Sequence, residues 1–210
     1  MGVKRTEDIR VRRCLPSDAP DCARLVLASA ERFFPAVFGP RIGDALERLS
    51  AGRGTLFSHE HALVAEAAGS TAGILVGYTG AQKQAEDPRT GLGLLRLLGW
   101  DFLKRLGRLL SLQRTIGSLG RVEYSVSNVA VYPGHRGRGI GGILLARAEQ
   151  EASRAGCYSL VLDVETDNEG AIRLYERLGF ATRTRTAPLV LDGRAFSFHR
   201  MGKPVVSLLR

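Results

Sequence analysis

The sequence contains little cysteine and no clustered set of metal-binding residues. Its three cysteines, Cys14, Cys22 and Cys157, are an odd number and lack the short spacings of a zinc site. This argues against a disulfide framework, and we expect reduced thiols in a cytoplasmic protein. His59 and His61 flank a glutamate, but two histidines without further ligands do not indicate a metal site, so no metal is expected.

Long apolar segments and an excess of acidic residues are absent as well. No apolar run is long enough for a transmembrane helix, and the first residues lack the apolar core of a signal peptide. Lysine and arginine outnumber aspartate and glutamate by 30 to 21, which favours an anionic partner such as nucleic acid, a membrane surface or a phosphorylated ligand. Because no array of base-stacking aromatic residues accompanies this charge, no nucleic acid partner is expected.

The residues that are present suffice for one folded domain. With 44% hydrophobic residues over 210 positions, the chain can bury one core, and we expect a single domain over 1–210. Hydrophobic periodicity predicts both strands and helices. The predicted strands are 9–13, the two arms of a hairpin over 61–80, 122–132, 159–165, and segments near 180–186 and 195–201; the predicted helices follow residue 14 and cover 41–51, 140–155 and 169–178.

Residues 80–120 differ in composition from the rest of the chain, because they are rich in leucine and arginine. Their spacing predicts a basic amphipathic helix, or two helices separated at Gly99. Such a helix could pack on the domain or on a second copy in a homodimer, cover a binding site as a lid, or lie on a membrane surface over 90–113. The residues of its apolar face are Leu95, Phe102, Leu106 and Leu109.

Residues 136–142 place four glycines and two arginines in front of a predicted helix. Backbone N–H groups at a helix start have no partners within the helix, and glycines let a ligand approach them closely, so the loop predicts a phosphate or pyrophosphate site. The lysine of a P-loop and the acidic residue of a dinucleotide-binding motif are both missing. The candidate binding residues are Arg136, Gly137, Arg138, Gly139, Ile140, Gly141 and Gly142.

The strand before this loop changes face along its length. Tyr124 and Val126 are apolar at even positions, whereas Val129 and Val131 are apolar at odd positions. A strand changes face only through an extra residue, so a β-bulge is predicted near 127–128. A bulge frees backbone polar groups, which could hold an extended ligand or stabilise an oxyanion.

A third candidate element follows the strand predicted over 159–165. Asn168 is suited to cap a helix whose apolar face includes Tyr175, and Gly179 is suited to end that helix. Asn168 and Tyr175 are two helical turns apart, so both project from the same side. A tyrosine in this position beside a phosphate loop is a candidate acid.

Together these elements resemble the GCN5-related N-acetyltransferase (GNAT) superfamily. The likeness is strongest over 122–180 and is locally closest to the ribosomal-protein N-terminal alanine acetyltransferases. It implies an α/β fold of the α+β type: a mixed, mostly antiparallel central sheet of about six or seven strands, splayed between strands 4 and 5 and flanked by helices, with 80–120 as a helical insertion. Two signatures carry it: [Q/R]-x-x-G-x-[G/A] at Arg136, Gly139 and Gly141, and N…A-x-x-L-Y-x-x-x-G-F at Asn168, Ala171, Leu174, Tyr175, Gly179 and Phe180.

The resemblance implies acetyl-coenzyme A (acetyl-CoA) as the acetyl donor. The amides of 137–142 would hold the pyrophosphate, Asn168 would contact the coenzyme, and Tyr175 would protonate the departing thiolate. The residues expected to pair with the pantetheine arm, in the manner of an added strand, are Val129, Ala130 and Val131.

The resemblance also suggests where a general base would lie. Asp163 matches the glutamate that serves as base in the alanine acetyltransferases, although its side chain is one methylene shorter. Ser125 matches the base of the histone-acetylating members and cannot serve, which leaves Glu123, two residues earlier on the same face, as the reserve.

We therefore expect an N-acetyltransferase that moves an acetyl group to a primary amine by direct attack in a ternary complex. The acceptor can be a small molecule, a lysine or a protein N-terminus, and the sequence does not choose among them. The alternative is a non-catalytic module that binds acetyl-CoA and uses its basic amphipathic insertion to contact a partner or a membrane.

Overall fold

The central element of the protein is a seven-stranded sheet, seen in a computed structural model that describes residues 9–105, 107 and 118–206. The strands are β1 (Arg10–Arg13), β2 (Ala62–Ala67), β3 (Ser70–Thr79), β4 (Glu123–Val131), β5 (Ser159–Glu165), β6 (Ala181–Arg185), β7 (Leu189–Leu191), β8 (Arg194–Phe196) and β9 (Phe198–Pro204). The sheet order is β1-β2-β3-β4-β5-β9-β6, while β7 and β8 form a separate hairpin. Only the β4–β5 pair is parallel among these described strands, so the predicted mixed, mostly antiparallel sheet is confirmed.

Helices cover both faces of the sheet. They are α1 (Ala19–Ser29), α2 (Phe33–Phe38), α3 (Ile42–Ala51), α4 (Gly80–Leu98), α5 (Trp100–Lys104), α6 (Ile140–Arg154) and α7 (Glu169–Arg177). One core includes Leu25, Ile42 and Leu46 of the first helices, and the other includes Leu144 of α6 and Met201 of β9. All five side chains are at most 1% exposed, so the sheet separates two well-packed apolar layers.

The predicted bulge lies in β4. Val76 of β3 pairs with Asn128, but the next residue of β3, Gly77, pairs with Val126, so Ser127 is the extra residue. This confirms the change of face that the apolar pattern predicts. Ser127 is exposed and Asn128 is buried, as expected where a bulge turns the strand.

Strands β4 and β5 separate beyond this bulge. Their parallel pairing runs from Glu123 opposite Ser159 to Val126 opposite Leu162. From there β5 continues to Glu165 paired with β9, while β4 continues to Val131 paired with β3. The sheet is therefore splayed between its fourth and fifth strands, as predicted.

The insertion between β3 and β4 leaves the sheet and returns to the same point. The N–H of Ala81 donates to the carbonyl of Arg121 at 3.2 Å, and a Cβ added to Gly80 would overlap the Gly120 carbonyl. Helix α4 begins with a capping box, in which Thr79 Oγ1 accepts from the Gln82 N–H and Gln82 Oε1 accepts from the Thr79 N–H. The first turn of α4 and the returning residues 120–121 are thereby held together at the end of β3.

The described part of the insertion forms two helices that separate at Gly99, where φ is 60°. Leu94, Leu98 and Phe102 are buried in the core beside α3, so this face packs on the domain. The predicted apolar residues Leu106 and Leu109 lie outside the described residues. Trp100 is 70% exposed.

None of the helices in the described ranges is both long enough and apolar enough to cross a membrane.

Candidate functional site

A cleft of about 410 Å³ opens where β4 and β5 separate. Its walls are the bulge of β4, the second half of β5, the start of α7 and the turn after α1. The residues that line it are Ser29, Ala30, Glu31, Arg32, Val126, Ser127, Asn128, Val129, Leu162, Asp163, Val164, Glu165, Asp167, Asn168, Ala171, Tyr175 and Phe198. Four sequence-predicted site residues, Val129, Asp163, Asn168 and Tyr175, therefore share one cleft.

Asp163 lies at the point where β5 leaves β4. Its Oδ1 atom is buried without a hydrogen bond, and Arg200 Nε lies 3.6 Å from it. Burial raises the pKa of Asp163 to about 6, and the Arg200 charge opposes this rise. A carboxylate with this pKa is mostly ionised at neutral pH and still basic enough to accept a proton.

Tyr175 reaches the cleft from α7 and is 7% exposed. Its ring lies 5.8 Å from that of Phe180, and burial raises its pKa to about 12. The phenol is therefore protonated at neutral pH and can act only as a proton donor there. Asn168 caps the same helix, because its Oδ1 accepts from the Ala171 N–H at 3.1 Å, so the predicted cap is confirmed.

The glycine loop leads into α6 as predicted. Gly137 and Gly139 have φ values of 75° and 78°, a conformation that favours glycine, and a Cβ at either position would meet no atom within 4 Å. Gly139 is the N-cap of a helix of 15 residues, so unpaired N–H groups and the positive end of the helix dipole face this open space. The loop thus fits a phosphate or pyrophosphate group.

The segment 129–131 runs between this loop and the cleft. Its inner edge pairs with β3, while the parallel partner strand β5 has already turned away. An extended ligand could therefore lie along the outer edge, close to Val129. At the end of this edge, Arg136 Nε donates to the Val131 carbonyl at 3.2 Å, which fixes the loop to the strand.

Glu123 and Ser125 do not line the cleft. Glu123 Oε1 accepts from Arg183 Nη1 at 2.8 Å, and its Oε2 accepts from the Gly120 N–H at 2.9 Å. The two carboxylate oxygens thus link Gly120, at the returning end of the insertion, to Arg183 of β6. Ser125 lies inside the sheet between Tyr78 of β3 and Val161 of β5.

The turn after α1 contributes residues to the cleft that no sequence pattern predicts. Arg32 Nη2 lies 2.8 Å from Asp167 Oδ2 and 3.5 Å from Glu165 Oε2, so it bridges the mouth of the cleft. A second cavity of about 370 Å³ shares these three residues and extends toward the β7–β8 hairpin. No local pattern marks Arg32, because its partners follow more than 130 positions later in the chain.

Within the described part of the chain, no three histidine, cysteine or acidic side chains come together in a group that could hold a metal ion.

Known proteins share both sequence and fold with this chain. Over 69 residues it is 44% identical to an L-methionine sulfoximine/L-methionine sulfone acetyltransferase of Salmonella typhimurium, covering 33% of this chain and 38% of that protein. Over 74 residues it is 39% identical to a [ribosomal protein bS18]-alanine N-acetyltransferase of Escherichia coli, covering 34% of this chain and 50% of that protein. The matched segments therefore span half or less of these curated relatives.

A solved structure agrees with this fold over nearly the whole length of both chains. The structure of yncA from Salmonella typhimurium with its cofactor acetyl-CoA superimposes with a TM-score of 0.61 at 20% identity, covering 96% of each chain. The model of the acetyltransferase (GNAT) family matches residues 27–180, well over half of the chain. With the splayed sheet, the glycine loop and both signatures in place, the chain belongs to the acetyltransferase (GNAT) family.

Proposed function

We propose that this protein is an acetyl-CoA-dependent N-acetyltransferase that acetylates a primary amine by direct attack in a ternary complex. The observation that carries the proposal is the meeting of Asp163, Asn168 and Tyr175 with the bulged strand in one cleft. Transfer of an acetyl group from a thioester to an amine requires a base, an acid and unpaired backbone groups.

The proposed chemistry begins with the acceptor. An amine is protonated near neutral pH, and only its free form is nucleophilic, so a base must take a proton from it. We assign this role to Asp163, directly or through one water molecule. The amine nitrogen attacks the thioester carbon, and a backbone N–H near Val129 would stabilise the oxygen that becomes negatively charged.

The second half of the reaction breaks the carbon–sulfur bond. The departing thiolate takes the phenol proton of Tyr175, and the second proton that the nitrogen loses on becoming an amide restores the phenol, directly or through water. The first proton, taken from the protonated amine, stays on Asp163 until solvent accepts it. The donor would lie with its pantetheine arm along the backbone of 129–131, its pyrophosphate at the amides of 137–142, and Asn168 beside it. Both substrates would then occupy the cleft together, as direct transfer needs.

A screen of amines tests this proposal. Acetyl-CoA is incubated with a panel of protein N-terminal peptides, lysine peptides, amino acids, polyamines and aminoglycosides, and release of free thiol is followed with a thiol reagent. The protein's own cysteines are 1–6% exposed and should contribute little background. Mass spectrometry of the acetylated amine confirms a positive result.

The outcome also tests the alternative, a non-catalytic module that contacts a partner or membrane through its insertion. Acetyl-CoA binding by calorimetry without thiol release on any amine would favour that alternative, whereas no binding at all would overturn both. For the membrane form of the alternative, Leu94, Leu98 and Phe102 are already buried, so we expect no salt-sensitive binding to anionic vesicles. Size-exclusion chromatography tests whether the protein forms the expected homodimer.

A further inference from the structure

Arg200 of β9 connects the candidate base to the end of the insertion. It is the direct cross-strand partner of Asp163 in the antiparallel β5–β9 pair, and its Nε lies 3.6 Å from Asp163 Oδ1. On its other side, Nη1 donates to the Ser118 carbonyl at 3.1 Å. Only 16% of the Arg200 side chain is exposed, so both contacts are shielded from solvent.

The geometry of these contacts is specific to arginine. The guanidinium is planar and presents donors in two directions, so one side chain can face a carboxylate and a carbonyl at the same time. A lysine carries all its donors on one terminal nitrogen, so it lacks the two separate nitrogens, Nε and Nη1, that face the two groups here. Ser118 lies at the returning end of the 80–120 insertion, three residues before Arg121, whose carbonyl accepts from the Ala81 N–H.

Other charged and titratable groups lie on the same side of the sheet. Tyr78 of β3 has a pKa raised to about 12, mainly by burial and with contributions from Asp87 of α4 and Asp163. At the mouth of the cleft, Glu165 is paired with Arg32. Burial opposes ionisation of Asp163, and the charge of Arg200 favours it, whereas Arg32 is engaged with Glu165 and Asp167.

We propose that Arg200 is a positioning residue of the acetyl-transfer site: it keeps the Asp163 carboxylate charged and ties its strand to the returning end of the 80–120 insertion. This inference rests on the proposed function, because it gives Asp163 the role of base. It adds that the insertion is mechanically linked to the base through one side chain. The state of the insertion and the ionisation of Asp163 are therefore coupled.

The first test measures Asp163 directly, without turnover. The protein is labelled with 13C at aspartate carboxyl carbons, the Asp163 signal is assigned with Asp163→Asn, and the titration is followed by NMR. Loss of the cation in Arg200→Gln should raise the Asp163 pKa by about one unit, since an opposite charge at this distance favours the ionised form. Arg200→Lys should leave it near the wild-type value. Arg185→Gln removes the same charge from exposed β6 and serves as the matched control.

The second test measures the link to the insertion. Hydrogen exchange of the amides in 118–122 should become faster in both Arg200→Gln and Arg200→Lys, because neither side chain presents a guanidinium whose separate nitrogens face Asp163 and Ser118. This readout also keeps the inference testable if Arg200→Gln fails to fold. Unchanged exchange in the lysine variant would overturn the link.

The third test uses the acceptor found in the amine screen. In Arg200→Gln, the acidic limb of the pH profile of kcat/KM should move to higher pH by the same amount as the pKa of Asp163. Ionisation of the acceptor amine affects all variants equally, so it does not contribute to this difference. An unmoved Asp163 titration together with an active wild type overturns only the role of Arg200. Absence of transfer by the wild type overturns the proposed function instead.

Discussion

Asn128 on the bulge of β4 donates from its side-chain amide to Ser29 Oγ at the end of α1, at 2.8 Å, although 99 residues separate them in the chain. The hydroxyls of Ser29 and Ser127 make further hydrogen bonds around this contact. Ser29 Oγ donates to the Val26 carbonyl at 2.7 Å, and Ser127 Oγ donates to Asn128 Oδ1 at 3.0 Å. The bulge is thus held in shape by side chains, and the two elements it joins both line the cleft.

Replacing Asn128 should therefore damage both the fold and the site. Asn128→Ala removes a buried hydrogen-bonding group, and we expect a loss of about 1–3 kcal/mol in the free energy of unfolding. Acetyl-CoA affinity should fall as well, because the bulge shapes the edge along which the donor would lie. Urea unfolding and calorimetry measure the two effects. Thr184→Ala, at an exposed position of β6 outside the cleft, should change neither by much; equal effects of both variants would contradict this account.

A carboxylate at Gly139 should abolish acetyl-CoA binding. Gly139→Asp would place negative charge where the pyrophosphate is proposed to bind. Gly156→Asp is a matched control, because Gly156 follows the other end of α6, has a φ of 70° against 78° for Gly139, and likewise has open space at Cβ. Both substitutions should cost similar stability, and only Gly139→Asp should lose affinity in calorimetry. Similar affinities in the two folded variants would remove the pyrophosphate assignment.

Tyr175→Phe should slow turnover and spare binding. The ring keeps its packing against Phe180 while the proton for the thiolate is lost, so kcat should fall by about tenfold or more with little change in acetyl-CoA affinity. Tyr158→Phe is the control, since Tyr158 is 60% exposed and lies outside the cleft. If Tyr175→Phe turns over like the wild type, solvent supplies the proton and the tyrosine is only a packing residue.

Asp163 should make the protein less stable as pH rises. Its pKa of about 6 in the folded state lies above the usual value of 3.8, so the folded state holds the proton more tightly. The resulting stabilisation is complete below pH 4 and is lost as pH rises through 6, a difference of about 2–3 kcal/mol. Asp163→Asn should therefore gain stability relative to the wild type between pH 4 and 7.5, and lose acetyl transfer.

Chemical unfolding at both pH values checks this prediction. Asp44→Asn serves as the control, because Asp44 is exposed on α3. A stability difference between wild type and Asp163→Asn that is the same at both pH values would show that Asp163 titrates normally.

Glu123→Gln separates a structural carboxylate from a catalytic one. Glu123 accepts hydrogen bonds from Arg183 and from the Gly120 N–H, so its loss should lower stability by about 1–3 kcal/mol. Turnover should remain within a few-fold of the wild type, whereas Asp163→Asn should lose most of it. Steady-state kinetics of both variants decide between them, and the reverse ranking would make Glu123 the base.

The local elements of this protein could be read from its sequence, because each depends on neighbours within a few residues. The bulge follows from the change of apolar face between Val126 and Val129, and the cap at Asn168 follows from residue type and helical spacing. The glycine loop is recognisable because left-handed backbone at Gly137 and Gly139 favours glycine. These patterns carried the family resemblance and the fold.

Only the tertiary structure determines which side chains meet across the cleft. Arg32 meets Asp167, Asn128 meets Ser29, and Arg200 meets Asp163, although each pair is distant in sequence. The family resemblance also left Glu123 beside Asp163 as a candidate base, since Asp163 matches the glutamate of the alanine acetyltransferases and Glu123 lies two residues before Ser125. The strand register places Glu123 in an ion pair with Arg183, and burial raises the pKa of Asp163. Both effects depend on residues that are distant in the chain, so no local sequence pattern predicts them.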